Sequence, residues 1–305
     1  MTTEQGNAAE NKPATAFLID ASIFVFRSYY SMSDEFVDVN GQSVNAVYGF
    51  GRFLARFLAQ TKAQHIACAF DESLTTSFRN EIYPPYKANR EPAPDDLKRQ
   101  FKDCKLLAQH LGIATFGDDH YEADDLIGTL HARHASKGLN VCVVSADKDL
   151  AQLIRPTDWW WDYGKGQPLG FKALTAKFGV RPDQVVDYLA LAGDAVDNIP
   201  GVKGVGPKTA VQLLQHFGDL ESILARSNEI AYLSFRGAKS CAVKIKQQAD
   251  QARLSKQLTQ IVLDAPMTND DIIKKQGNQQ ALVAYSNQMN FGPLMRRQLT
   301  EAAKL

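Results

Sequence analysis

The sequence has few cysteines, no long apolar run and no net charge. Its four cysteines, Cys68, Cys104, Cys142 and Cys241, lie far apart and form no C-x-x-C pair. A disulfide framework or a zinc site is therefore not indicated, and we expect reduced thiols in a cytoplasmic protein. No apolar stretch approaches the ~20 residues of a membrane-spanning helix, and the polar residues 1–15 lack the apolar core of a secretion signal. These absences indicate a globular protein without a membrane partner.

The size and the zero net charge set the expectations for domains and partners. With 305 residues, 45% of them hydrophobic and 22% charged, the chain is long enough for two domains. Its 34 basic and 34 acidic residues cancel, which at first argues against a nucleic-acid partner. Setting aside nine acids nominated below leaves 25 acidic residues against 34 basic ones, an excess of nine positive charges. A neutral total can therefore hide a basic exterior around an acidic pit.

The densest group of acids lies in residues 121–150. Glu122, Asp124 and Asp125 precede a run with helical spacing, and Asp147 and Asp149 follow a short apolar run. The helix dipole stabilises one or two acids in a first turn. Five acids in one stretch exceed that need, because like charges brought together resist joint ionisation. Clustered carboxylates supply the hard oxygen ligands that Mg²⁺ and Mn²⁺ prefer.

Two earlier apolar runs also end in aspartates. Residues 16–20 and 66–70 read as buried strands that finish at Asp20 and Asp71. In open parallel α/β sheets, ligands bind beyond the carboxyl ends of the strands, so these acids should converge with Asp147. Asp194 and Asp197 add two carboxylates at a spacing that one helical turn brings together. The pattern predicts an α/β fold with a carboxylate site at one sheet edge.

Between Asp71 and the central acids lies a polar stretch with four prolines that carries basic and aromatic residues. Arg79, Tyr86, Lys87 and Arg90 belong to it. Cations that contact phosphates and rings that stack on bases suit single-stranded nucleic acid. A solvated loop fits the same composition equally well.

Residues 199–210, IPGVKGVGPKTA, begin a second region in which glycines separate helical runs. A glycine hairpin that opens onto a helix N-terminus exposes N–H groups that hold a phosphate without reading a base. A Walker loop would need Gly-Lys-Ser/Thr where this sequence has Gly206-Pro207, so a nucleoside triphosphate pocket is disfavoured. A plain helix-turn-helix connection remains an alternative.

Together these stretches resemble the bacterial and phage 5′ nucleases, a family that includes the 5′-nuclease domain of DNA polymerase I and, more distantly, flap endonucleases. The matching motifs follow the family's order from residue 17 to about residue 299: FLIDASIFVFRSYYS, AVYGF, AFDE, FRNEIYPPYKANR, YEADD, SADKDLAQL, LAGDAVDNIPGVKGVGPKTA and FGPLMRR. The resemblance implies a PIN-like core with a central, mostly parallel sheet flanked by helices. We expect three regions: a disordered polar tail at 1–15, which has no counterpart in the family, a nuclease core at 16–190 with a helical arch at about 73–100, and a helical helix-hairpin-helix region at 191–305.

The resemblance also implies roles for individual residues. Two Mg²⁺ or Mn²⁺ ions would be held by Asp20, Asp71, Glu122, Asp124, Asp125, Asp147, Asp149, Asp194 and Asp197. Lys87 and Arg90, on the arch, would be catalytic residues that hold the scissile phosphate. DNA contacts would come from Arg27, Arg79, Tyr86, Gly201, Lys203, Gly204, Gly206, Lys208 and Thr209. The helix-hairpin-helix of this family often holds a K⁺ ion as well.

The implied activity is 5′-3′ exonuclease and flap endonuclease cleavage of DNA by two-metal-ion catalysis, in replication and repair. The expected substrate is DNA with a 5′ flap, overhang or nick, bound by a monomer. An RNA strand remains an alternative, because phosphate contacts do not distinguish the sugars. A metal-dependent phosphatase is another alternative, as is a DNA-binding protein without activity, although the second would retain a repulsive acidic cluster for no use. Whether the chain is a stand-alone enzyme or an isolated domain stays open.

Overall fold

The computed structural model describes residues 14–72 and 76–305. Residues 1–13 of the predicted tail and residues 73–75 of the predicted arch lie outside the described residues. The described strands form one six-stranded sheet in the order β3-β2-β1-β4-β5-β6. They are β1 (Thr15–Asp20), β2 (His65–Asp71), β3 (Ala114–Asp118), β4 (Asn140–Val144), β5 (Trp159–Trp161) and β6 (Leu169–Gly170). All neighbours are parallel except β5 and β6, which confirms the predicted mostly parallel sheet.

Helices cover both faces of this sheet. The α-helices of the described residues are α1 (Ala21–Ser31), α2 (Asn45–Thr61), α3 (Phe78–Ile82), α4 (Asp95–His110), α5 (Ala123–Ser136), α6 (Phe171–Phe178), α7 (Val185–Ala192), α8 (Pro207–Phe217), α9 (Leu220–Ala225), α10 (Ala238–Gln247), α11 (Ala249–Thr259), α12 (Gln279–Gln288) and α13 (Pro293–Lys304). Short 3₁₀ helices lie at Asp149–Leu153, Pro182–Gln184 and Ser227–Tyr232. No helix in these ranges is long and apolar enough to cross a membrane.

The alternation of side chains along β1 divides the apolar core into two clusters. Leu18 points into one that contains α5, α7 and α8 residues, and Ile19 points into the other, which contains α1, α2 and α4 residues. The fully buried central strands read as continuous apolar runs, as expected where helices cover both faces. The four cysteines are buried and free, which confirms their expected state.

The apolar clusters also join the two predicted regions. The first cluster runs from β1 residues to Ile230 and Ile272, and the second includes Leu282 and Leu299 of the last two helices. The predicted boundary between residues 190 and 191 falls inside α7. The domain limits stay a prediction. The helices after the hairpin pack against the same core as the sheet.

The predicted arch differs from its expected form. After the five-residue α3, residues 84–89 form turns, and the next helix begins only at Asp95. Two prolines at 84–85 restrict helix formation, and Lys87 has a left-handed backbone with φ of 53°. A residue in that conformation interrupts a right-handed helix. Lys87 and Arg90 therefore do not lie on a helix in this structure.

Candidate metal centre

The carboxyl ends of β1 and β2 place two carboxylates beside the N-terminus of α5. Asp20, the last residue of β1, caps α1 and accepts a hydrogen bond of 2.8 Å from the Ser145 hydroxyl at the end of β4. Asp71, the last residue of β2, accepts one of 2.9 Å from the backbone N–H of Ala123. Because β1 lies between β2 and β4, the predicted convergence at one sheet edge is confirmed.

Asp125 lies in a network of protein hydrogen bonds. Its carboxylate is fully buried and accepts bonds from both Arg79 NH groups, at 2.6 and 2.8 Å. It also accepts the N–H groups of Glu122, at 3.2 Å, and Val262, at 2.9 Å. Both oxygens thus have protein partners in this structure, and the role of Asp125 as a metal ligand stays a prediction.

Arg79 likewise does not face solvent. It is only 2% exposed, and it donates to Asp125, to Glu122 at 3.2 Å and to the carbonyl groups of Leu258 and Gln260 at 2.8 and 3.0 Å. The predicted DNA contact of Arg79 stays a prediction, because in this structure the guanidinium donates to acceptors inside the protein. Its place beside Phe78 in a basic and aromatic stretch suggested a DNA contact, and only the tertiary contacts reveal its burial.

Four further acids lie in the two loops after β4 and α7. Asp147 accepts the N–H of Asp149 at 2.9 Å, and one buried oxygen of Asp149 has no hydrogen-bond partner among the described residues. Asp194 forms a 2.8 Å ion pair with Lys148. Asp194 and Asp197 lie in a tight turn closed by an antiparallel bridge between Asp194 and Ile199, rather than on the expected helical turn.

The segment YKANR, residues 86–90, is docked on this acidic cluster. Lys87 pairs with Glu122 at 2.8 Å and lies 3.7 Å from Asp197. Arg90 pairs with Asp197. Tyr86 is 3% exposed, and its hydroxyl donates to Glu122 at 2.9 Å. Because Tyr86 is buried in this conformation, its contact with DNA stays a prediction, and Lys87 and Arg90 lie at the carboxylates.

Burial and mutual repulsion raise the pKa values of those acids that form no ion pair. Burial and then Asp71 raise the pKa of Asp20 to about 7, and burial and then Asp147 raise that of Asp149 to about 8. The pKa of Asp124 is raised well above its ordinary value by burial, Asp147 and Asp20. In Glu122, burial opposes ionisation, but Lys87 and Arg79 outweigh it and lower the pKa. Charge at this edge is thus compensated only in part.

The donor set fits hard divalent cations. It consists of carboxylate oxygens, and the buried Asp149 oxygen without a partner is the kind of group that a metal satisfies. Within the described ranges, no three or more His, Cys, Asp or Glu side chains already stand where they could hold an ion. In this arrangement Lys87 and Lys148 form ion pairs with Glu122 and Asp194.

The glycine hairpin presents only part of the predicted DNA contacts. Lys203, Gly204, Gly206 and Lys208 are exposed, and Thr209 is half-buried. Gly201 is buried, and a Cβ there would come within 2.3 Å of the Gly193 nitrogen, so its DNA contact stays a prediction without an exposed surface here. In the described backbone, the N–H groups of Gly204 and Gly206 donate to no protein acceptor. They face the N-terminus of α8, where a phosphate is favoured.

A basic groove that the sequence analysis missed surrounds Arg27. Arg27 pairs with Asp162 at 2.8 Å and donates to the Tyr163 carbonyl at 3.0 Å, which holds it at the mouth of a groove of about 410 Å³. Other lining residues include Arg52, Arg56, Lys165 and Phe53. Arg52 and Arg56, four residues apart on α2, make no ion pair with the described residues. Their i, i+4 spacing on an amphipathic helix was the signal that could have found them.

Comparisons with known proteins agree with this architecture. Residues 15–179 match the model of the 5′-3′ exonuclease N-terminal resolvase-like domain, and residues 180–280 match the 5′-3′ exonuclease C-terminal SAM fold. The bacteriophage T5 flap endonuclease, solved as a pseudo-enzyme-product complex with DNA and metal ions, superposes with a TM-score of 0.62 at 17% identity. That match covers 95% of this chain and all of the other. At this identity the likeness shows the fold.

Curated relatives show the family. A 5′-3′ exonuclease of Buchnera aphidicola subsp. Acyrthosiphon pisum is 32% identical over 92% of this chain and 98% of its own length. DNA polymerase I of Geobacillus stearothermophilus is 39% identical over 90% of this chain, which spans only 31% of that polymerase. Because the two family models together match residues 15–280 and a relative that is 32% identical is matched over nearly its full length, the chain belongs to the 5′-3′ exonuclease family of nucleases.

Proposed function

We propose that this chain hydrolyses DNA phosphodiester bonds near 5′ ends, at flaps, overhangs and nicks, in a reaction that depends on two divalent metal ions. One observation carries the proposal. Three parallel strands bring their terminal acids to one edge, and the cations of the YKANR segment lie directly against them. An anionic pit with mobile cations at its rim suits a phosphodiester, which needs both metals and protein cations around it.

Eight acids are proposed to hold the ions, and Asp125, whose oxygens bind Arg79 in this structure, stays a predicted ninth ligand. The eight are Asp20, Asp71, Glu122, Asp124, Asp147, Asp149, Asp194 and Asp197. Bound Mg²⁺ or Mn²⁺ would supply an activated water and a Lewis acid for both oxygens of an in-line displacement. The protein's own task is to orient these carboxylates, to which the hydrogen bonds from the Ser145 hydroxyl to Asp20 and from the Ala123 N–H to Asp71 contribute.

Lys87 and Arg90 are proposed to exchange their carboxylate partners for the scissile phosphate. Both already lie at the cluster, and a guanidinium and an ammonium on one phosphate offset the charge that develops in the transition state. Their contacts with Glu122 and Asp197 are ion pairs in which the Lys87 side chain is 11% exposed and the Arg90 side chain 34% exposed, and we propose that substrate and metal replace them. The segment thus changes partners rather than forming a new site.

The hairpin and the basic groove are proposed to bind the duplex. The exposed N–H groups of Gly204 and Gly206, with Lys203, Lys208 and Thr209, suit backbone phosphates and carry no base-reading group. Arg27, with Arg52 and Arg56, offers a second phosphate contact. The K⁺ ion stays a prediction, since the carbonyl groups of Val202 and Lys203 already accept bonds from Val205 N–H and the Gln248 amide. We propose a monomer that acts in the cytoplasm.

Cleavage of a 5′-labelled flap duplex tests the proposal. With Mg²⁺ we expect release of the flap with a 3′-hydroxyl, and with EDTA no product. An RNA flap on the same duplex decides the alternative of an RNA-directed nuclease, and p-nitrophenyl phosphate decides the phosphatase alternative. Absence of flap cleavage in Mg²⁺ and Mn²⁺, with duplex binding retained, would favour a DNA-binding protein without activity.

A further inference from the structure

Lys148 is a cation built into the acidic cluster that the proposed mechanism does not use. It stands between Asp147 and Asp149 in the sequence, and its Nζ lies 2.8 Å from an oxygen of Asp194. The Asp194 side chain is only 7% exposed, whereas the Lys148 side chain is half exposed. An ammonium paired with a nearly buried carboxylate holds its partner far more firmly than an ion pair at the open surface does.

The apolar stem of Lys148 is held as well. It borders a small cavity of about 60 Å³ whose other lining residues are Phe178, Val180, Val185, Tyr188 and Leu189. Lysine stems pack along apolar surfaces while the ammonium reaches polar groups. The position of the ammonium next to Asp194 is therefore fixed from both ends of the side chain.

We propose that Lys148 is an internal counter-ion for the Asp194 carboxylate and competes with a divalent ion there. The inference rests on the proposed function, because it concerns the ions which that function requires. Both Asp194 oxygens already have a partner in this structure: one accepts a 2.8 Å hydrogen bond from the Val196 N–H, and the other pairs with the Lys148 ammonium. Lys148 thus neutralises Asp194 in the metal-free protein and weakens metal binding there, which makes it a determinant of metal affinity.

Direct measurement of Mn²⁺ binding tests this role without any need for cleavage. Free Mn²⁺ is followed by electron paramagnetic resonance during titration of the wild type and of Lys148→Met, which keeps the length of the stem and removes the charge. We expect the weaker of the bound ions to bind about tenfold more tightly in Lys148→Met, since a positive charge a few ångströms away is lost. In EDTA the same variant should melt at a lower temperature, and Mn²⁺ should stabilise it more than the wild type.

Lys256→Met is the matched control. Lys256 pairs with the buried Asp187 at 2.7 Å, outside the acidic cluster, so its loss should leave Mn²⁺ affinity within twofold of the wild-type value. Lys148→Arg, which retains the charge, should also keep wild-type affinity. If Lys148→Met fails to fold, Lys148→Gln replaces it in the titration.

An unchanged or weaker Mn²⁺ affinity in folded Lys148→Met or Lys148→Gln would overturn the proposal. That outcome leaves the proposed nuclease activity intact if the wild type cleaves the flap in Mg²⁺. Conversely, a tenfold gain in affinity in a protein that cleaves no flap would support Lys148 as a counter-ion while refuting the proposed activity. The counter-ion role of Lys148 and the proposed nuclease activity can therefore be refuted independently of each other.

Discussion

At the scale of single residues, the acids of the sheet edge fall into two groups, those that form an ion pair with a lysine or an arginine and those that do not. Glu122, Asp194 and Asp197 each pair with a lysine or an arginine. Asp20, Asp124 and Asp149 form no ion pair within the described residues, and burial with neighbouring carboxylates raises their pKa values. An added cation stabilises the charges of this second group most. Substitution of one of these acids should therefore have the largest functional effect.

We predict that Asp124→Asn or Asp147→Asn lowers flap cleavage at saturating Mg²⁺ by at least about a thousandfold, because a metal ligand is lost. DNA binding should be unchanged or tighter, since one negative charge leaves an anionic pit. Single-turnover rates and anisotropy titrations measure the two effects. The control is Asp118→Asn at the end of β3, whose carboxylate accepts, among the residues that the structure describes, the His120 and Tyr121 N–H groups. A near-normal rate in either site variant would contradict the assignment.

Lys87→Ala should slow the chemical step more than it weakens binding. We expect the rate of bound substrate to fall about a hundredfold, with less than a threefold change in the dissociation constant, because the ammonium acts as charge develops. Rapid-quench experiments with enzyme in excess separate the two quantities. Binding that weakens tenfold at a wild-type cleavage rate would make Lys87 a docking contact only.

At the scale of elements, the sequence predicted what depends on local patterns and missed what depends on distant contacts. The apolar runs of β1, β2 and β4, each followed by an acid, were enough to predict the sheet edge. The burial of Arg79 depends on Asp125 and Leu258, which lie 46 and 179 positions away. The turns of the YKANR segment depend on its docking to Glu122 and Asp197. No local pattern carries that information.

The hairpin can be tested at a glycine that tolerates a side chain. Gly206 has a φ of −91°, and a Cβ there meets nothing within 4 Å, whereas Gly204 has a φ of 87° and would clash with Lys244. Gly206→Val should keep the melting temperature while it weakens duplex binding about tenfold, because the side chain blocks a phosphate. Sequence preference should not change.

Gly292→Val is the control for the hairpin. Gly292 also caps a helix, is also followed by proline, and also has open space around its Cβ. Its replacement should leave duplex affinity unchanged. Equal affinities of both variants at low and moderate salt would indicate that the hairpin is purely structural.

The basic groove on α2 should contribute phosphate contacts. In the double variant Arg52→Gln, Arg56→Gln we expect weaker duplex binding and a slope of log affinity against log salt that is shallower by about one to two units. Arg226→Gln is the control, because Arg226 is exposed and already paired with Glu229. A salt slope equal to that of the control would exclude the groove from the DNA interface.

At the scale of the whole molecule, the stability of the metal-free protein should fall as the pH rises from about 6.5 to 8. The folded-state pKa values of about 7 for Asp20 and about 8 for Asp149 lie above their unfolded values. The folded state therefore binds more protons in this window, and losing them costs stability. Glu122 and Asp194 have lowered pKa values, so they change the stability only near pH 4 and below. His110 and His134 also have lowered pKa values, and they change the stability only below about pH 6.5.

Melting curves in EDTA across this pH range measure the effect, and we expect the melting temperature to fall by a few degrees. Mg²⁺ should reduce the slope, because it replaces the protons, and Asp149→Asn should reduce it in EDTA. A melting temperature that does not change between pH 6.5 and 8 in EDTA would contradict the raised pKa values.

The apolar cluster that runs from β1 to the helices after the hairpin has a mechanical consequence. Val202 and Val205 of the hairpin belong to the same buried cluster as Ala16 and Leu18 of β1, so one apolar core supports both the proposed phosphate contacts at Gly204 and Gly206 and the acids at the sheet edge. The distance between the hairpin and the acidic sheet edge is therefore fixed. A duplex bound at the hairpin should be cut at a constant number of nucleotides from it, whatever the sequence between. An insertion that loosens this core should give cleavage at several neighbouring positions. A larger disruption of the core should abolish cleavage.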